Sequence, residues 1–131
     1  MFREMFLTTA LQKLSLNDAS AMDANTVLRM ATVGGAKAMR LSNCETLSPG
    51  QQADLIMIDL HQPNMQPENN LLKNLVYSGS KQNVKMTMVA GKILYEDGKF
   101  SIGEDPEEIY REANEIIAEK KEMAEQAAKN K

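Results

Sequence analysis

The sequence predicts an α+β chain, helical at both ends and built of short strands in between. Three observations predict this. Apolar residues recur at helical spacing over residues 2–14. Alternating residues and tight-turn dipeptides occupy Glu45 to Phe100. Asp105-Pro106-Glu107-Glu108 then opens a long amphipathic run. The natural divisions are residues 1–43, helical; 44–103, rich in strands; and 104–131, a C-terminal amphipathic helix.

In the first helix Phe2, Met5, Phe6, Ala10 and Leu14 share one side, and Leu7 and Leu11 widen it. That breadth predicts burial over much of the circumference. A loop over Ser15 to Ser20 follows, and Asp23 is the expected N-cap of a second helix reaching about Leu41. Ala31, Gly34, Gly35 and Ala38 give that helix a smooth face, although each Gly costs about 1 kcal/mol of helix propensity. Small residues at this spacing predict close approach of another element. A phosphate-cradling glycine loop is excluded, because no strand precedes these glycines and no helix opens after them.

Leu47-Ser48-Pro49-Gly50 reads as a turn. It feeds a strand over Asp54 to Leu60, whose continuous run Leu55 to Ile58 predicts burial on both faces. His61 to Asn70 is a loop, and Leu71 to Tyr77 a short apolar element of either type. Val84 to Val89 alternates as a half-buried strand does. Ala90-Gly91 joins it to Lys92 to Glu96 as a hairpin, and Asp97-Gly98 turns into Lys99 to Ile102. In the last helix Asp105 is the N-cap and Pro106 the first residue. Ile109, Ala113, Ile116, Ile117 and Met123 form a stripe expected to dock on the body. Glu119 to Lys131 reads as a solvated end.

Composition narrows the function by exclusion. A net charge of −3 without a basic cluster gives no footprint for nucleic acid. No run approaches the roughly 18–20 apolar residues of a membrane span. Cys44 is the single cysteine and cannot form an internal disulfide, which suits a cytoplasmic protein.

Residues able to carry chemistry are sparse. His61 is the only histidine, 17 residues from Cys44, and neither has a paired ligand beside it; a zinc or iron site needs about three or more protein ligands. Asp54 and Asp59 are five apart on a strand and point to opposite faces, which rules against an acid/base dyad. Glu104, Asp105, Glu107 and Glu108 are explained by the helix N-terminus. No residue is assigned a catalytic, cofactor-binding or metal-ligating role.

The order of segments says more than any one of them. Ala31-Thr-Val-Gly-Gly-Ala-Lys-Ala38 is followed by Leu47-Ser-Pro-Gly-Gln-Gln-Ala-Asp-Leu-Ile-Met-Ile-Asp59. Then comes Val84-Lys-Met-Thr-Met-Val-Ala-Gly-Lys-Ile-Leu-Tyr-Glu-Asp-Gly98. This series resembles the C-terminal end of the amidohydrolase superfamily, in the aminohydrolase and chlorohydrolase branch that includes S-adenosylhomocysteine/methylthioadenosine deaminases. The resemblance implies a (β/α)8 barrel with a small β-sandwich built from both chain ends. Residues 1–43 would be terminal helices of the barrel and 44–103 the C-terminal half of the sandwich.

The family's metal ligands are an early His-x-His pair, two later histidines and an aspartate at the end of the eighth barrel strand. None matches a position here, and the usual acid/base Glu would also lie upstream. The resemblance therefore implies zinc or iron for a full-length parent and none in this segment, which should be inactive alone. The parent would hydrolyse a C–N or C–Cl bond on a purine or related heterocycle through metal-activated water. Expected partners are the missing N-terminal barrel region and, through exposed apolar surfaces, further copies of the chain. Nucleic acid and membrane are not expected. The alternative is a non-catalytic interaction or scaffold module acting by association.

Overall fold

The structure is a computed structural model and describes residues 1–129. Helix α1, Phe2–Leu16, stops where Asn17 turns left-handed at φ 48°. There the Asn17 N–H bonds the Leu14 carbonyl and the Asp18 N–H that of Lys13, satisfying carbonyls at the helix end. Asp23 caps the next helix: its carboxylate accepts from the Asn25 N–H at 2.9 Å and the Thr26 hydroxyl at 2.8 Å. That helix runs as α2, Ala24–Arg29, widens into a π-turn over Met30–Gly34, and closes as α3, Gly35–Ala38. Gly34 and Gly35 hold the α-helical form weakly, which is where a wider turn is tolerated.

Leu71–Tyr77 forms the short helix α4, with the Asn70 side chain accepting from the Lys73 N–H at 3.0 Å. Met5, Ala24, Val27 and Val76 make the buried centre where α1, α2 and α4 meet, with Phe2, Met22 and Tyr77 packed against it. Gly79 follows α4 so closely that a methyl group there would collide with the Leu75 carbonyl and press on Phe2.

Four strands form an antiparallel meander in the order β1-β2-β3-β4. They are β1, Leu55–Ile58; β2, Val84–Val89; β3, Lys92–Glu96; and β4, Lys99–Phe100. Both hairpin turns have two residues at positive φ, Ala90 and Gly91 at 50° and 77°, Asp97 and Gly98 at 45° and 85°. Such turns match the twist of the strands they join. Tyr95 pairs with Phe100 across β3 and β4, ring centroids 5.1 Å apart. Between β1 and α4 a 3-10 turn, Pro63–Met65, seats Met65 fully out of solvent.

Four expectations meet a different structure. β1 is not covered on both faces: Ile56 and Met57 are 51% and 52% exposed, because nothing among the described residues lies over them. α1 buries Met5 and Thr9 only; Leu7, Leu11 and Leu14, on the opposite side, are 40%, 59% and 79% exposed. The small-residue face is partly used: Ala31 packs on the core, Gly35 lines a narrow cleft facing α1, and Gly34 is exposed. The last helix, α5, Pro106–Lys129, starts as expected, with Asp105 accepting from the Glu107 N–H at 3.0 Å, but buries none of its residues on the body. Of the run expected to be a solvated end, residues 130 and 131 lie outside the described residues.

These open faces share one consequence. The chain exposes 10212 Å², whereas a self-contained globule of 14.6 kDa exposes roughly 6,900 Å². The excess of about 3,300 Å² is more than the roughly 1,000–2,500 Å² that one partner buries in a large permanent interface.

Candidate functional site

Asp54 stands just ahead of β1, and its carboxylate accepts from the Ala90 N–H at 2.6 Å and from the Gln52 amide at 3.0 Å. The Gly91 N–H in turn donates to the Ala53 carbonyl at 3.0 Å. Ala53-Asp54 and Ala90-Gly91, distant in sequence, are thus two halves of one clasp that fastens β1 to the β2–β3 turn. The Ala90 N–H, then the Gln52 amide, hold the Asp54 carboxyl below its ordinary range.

Asp59 ends the same strand and works separately. It accepts from the Gln62 amide at 2.8 Å and the His61 N–H at 2.9 Å, and these two, in that order, lower its pKa. The two aspartates serve two hydrogen-bond sets at opposite ends of β1.

A cluster of side-chain amides that sequence reasoning missed lies behind Asp59. Asn83 is 1% exposed. Its Oδ1 accepts from the Asn64 amide at 2.8 Å and the Ser80 N–H at 2.9 Å, and its Nδ2 donates to Asn64 Oδ1 at 3.1 Å. The Asn74 amide donates to the carbonyls of Met65 and Pro67, both at 2.8 Å. Every buried side-chain polar atom described has a partner, so this cluster is a satisfied joint between the loop, α4 and β2. The available signal was the asparagine-rich run from Asn64 to Asn83.

His61 is exposed, and Cys44 is half-buried with a free thiol. Among the described residues no group of three or more His, Cys, Asp or Glu is placed to hold a metal ion. The donor set does not fit a catalytic zinc or iron. Glu107 and Glu108 lie in the first turn of α5, as the helix dipole favours.

What the surface offers instead is apolar and open. A cleft of about 680 Å³ lies between the start of α1 and the segment after α4, lined by Phe2, Arg3, Phe6, Tyr77, Lys81 and Gln82. A second, of about 570 Å³, spreads over Val84, Thr87, Leu94, Tyr95, Phe100 and Ile102. The first brings Glu4 to the same lining as Arg3 and Lys81, and the second carries Lys81 without an acid.

The model of the Amidohydrolase family matches residues 1–94. A 5-methylthioadenosine/S-adenosylhomocysteine deaminase of Desulfovibrio desulfuricans is 46% identical over 101 residues, which are 77% of this chain and 23% of that protein. A 5'-deoxyadenosine deaminase of Methanosarcina mazei is 36% identical over 121 residues, 90% of this chain and 28% of the other. Among solved structures, an adenosine deaminase from Xanthomonas campestris with bound zinc superposes with a TM-score of 0.82 at 34% identity, covering 88% of this chain and 26% of that one. An atrazine chlorohydrolase from Arthrobacter aurescens shares the fold, with a TM-score of 0.79 at 20% identity over 89% of this chain and 26% of the other. The chain spans about a quarter of the length of the relatives it matches. No helix of the described residues is long and apolar enough to cross a membrane.

Proposed function

Because this chain belongs to the amidohydrolase family, we propose that it is the C-terminal portion of a metal-dependent deaminase acting on adenosine-type nucleosides. The observation that carries this reading is the 46% identity to a methylthioadenosine/S-adenosylhomocysteine deaminase. Residues 1–43 supply the last helices of a barrel, residues 44–103 the C-terminal half of a small β-sandwich, and residues 104–131 a helical appendage. The uncovered sides of α1 and β1, and the surface excess, support a chain that is completed by an N-terminal barrel region and that also self-associates through what remains open.

In this reading the described residues perform no step of the hydrolysis. Their donor set fits no catalytic metal, so the metal and the proton-transfer groups belong to the barrel region. This chain contributes support: the Asp54 clasp and the Asn83 joint hold the sheet and α4 in register beside the helices that the barrel packs against. The polypeptide alone should release no ammonia from adenosine, 5'-deoxyadenosine or methylthioadenosine.

The test is a chimera in which this chain replaces the aligned C-terminal portion of the Desulfovibrio deaminase. We expect a soluble protein that binds metal and deaminates methylthioadenosine. A soluble, metal-loaded chimera without deaminase activity would sink the assignment. So would ammonia release by this chain alone.

A further inference from the structure

We propose that α5 pairs antiparallel with α5 of a second copy of this chain. The inference rests on the self-association just proposed and names its surface.

The helix comes first. Its 24 residues reach about 36 Å at 1.5 Å per residue, and none is buried on the body. Helical stability in proteins comes chiefly from packing an apolar face, and among the described residues nothing buries this face. Its apolar residues repeat every seven positions: Ile109, Ile116 and Met123; Tyr110, Ile117 and Ala124; Ala113 and Ala127, with Lys120 between them. A seven-residue repeat is the seam along which two helices supercoil.

Charge then sets the direction. Glu107, Glu108, Glu112, Glu115 and Glu119 against Arg111 leave the first half of α5 at −4. Lys120, Lys121 and Lys129 against Glu122 and Glu125 leave the second half at +1. A parallel pair would set −4 beside −4. An antiparallel pair sets each acidic half beside the partner's basic half and opposes the two helix dipoles. In that register Tyr110 meets Ala127, Ala113 meets Ala124, and Ile117 meets Lys120, so one large side chain faces a small one and the two alanines let the helices approach. Lys120 can lay its stem across Ile117 and keep its ammonium in water. A single polar position in the seam fixes the register.

A membrane surface is the weaker occupant. Taken whole, α5 carries seven Glu against four Lys or Arg, a net −3, and anionic lipid would repel it.

Sedimentation of the full chain between about 5 and 100 μM tests the pairing. We expect a dimer that the Ile116→Lys/Ile117→Lys variant, which sets new cations against Lys120 and Lys121 of the other copy, reduces to monomer, with amide-exchange protection of β2 and β3 unchanged. Direction is read in a Cys44→Ser background: Tyr110→Cys and Ala127→Cys chains oxidise to a mixed disulfide when combined. A dimer that survives the double variant overturns the α5 pairing while leaving self-association through another surface. A monomeric wild-type chain overturns both. Rapid self-disulfides in each single-cysteine chain overturn the antiparallel direction.

Discussion

Replacing Leu7, Leu11 and Leu14 together by Gln separates a chain that is whole from one that is part of a larger packing. These three side chains lie on the side of α1 away from Met5 and Thr9 and are 40%, 59% and 79% exposed. Full burial of a Leu stabilises by about 1.5–3 kcal/mol. The surface still open on the three therefore represents roughly 3–5 kcal/mol if a barrel covers it completely. In the isolated chain the same surface is in water, and Gln keeps good helix propensity. Urea unfolding of the isolated chain should then change by no more than about 1.5 kcal/mol, about 0.5 for each of the three surface positions. In the chimera with the Desulfovibrio barrel region the triple variant should lose several kcal/mol, read as a drop of roughly 5–10 °C in thermal midpoint. Equal destabilisation of both proteins would refute the reasoning, because α1 would then be buried within the isolated chain. An unaffected chimera would refute it from the other side, because nothing would pack there.

Three further outcomes follow from the joints of the fold. Asn83→Ala removes an acceptor for two close donors in a site 1% exposed, and should cost about 2–4 kcal/mol by urea unfolding; a loss under about 0.5 kcal/mol would show that water replaces the amide. Gly79→Ala drives a methyl group into the Leu75 carbonyl beside Phe2, and should destabilise by about 1–3 kcal/mol; unchanged stability would mean that the segment after α4 moves freely. Asp54 has a folded pKa below its ordinary 3.8, so its contribution is present above that value and fades as pH falls through the lower folded one. Asp54→Asn should therefore flatten the fall in thermal midpoint between about pH 5 and pH 2.5, and an identical fall in both proteins would assign the acid sensitivity to other groups.

Much of the fold was legible because its signals are local. Asp23 and Asp105 sit at helix starts where their side chains satisfy free N–H groups, and the Ala90-Gly91 and Asp97-Gly98 dipeptides mark the two hairpin turns. What stayed hidden depends on partners distant along the chain. The Asn64–Asn83 pair joins residues 19 apart, and nothing in either neighbourhood fixes that meeting. The π-turn at Met30–Gly34 follows from a weak stretch of helix whose preferred alternative no propensity scale supplies. The apolar pattern of Leu55 to Ile58 and of α1 predicted a burial that the described residues do not supply. Where that burial comes from is written in no residue of either element.

The clasp at Asp54 ties together two of the segments that carry the family resemblance. Ala90 is held at positive φ, a conformation that costs a non-glycine residue energy, and the Asp54 carboxylate bonding its N–H offsets that cost. Shortening or neutralising Asp54 weakens the turn, and replacing the turn leaves Asp54 without its donor, so the two segments constrain each other across 36 residues. The constraint acts on the edge strand and its hairpin. Through the neighbouring Asn83 joint it extends to α4 and the helices packed on it. In this chain the clasp and the joint together fix both ends of β1, one against the β2–β3 turn and the other against the segment around α4.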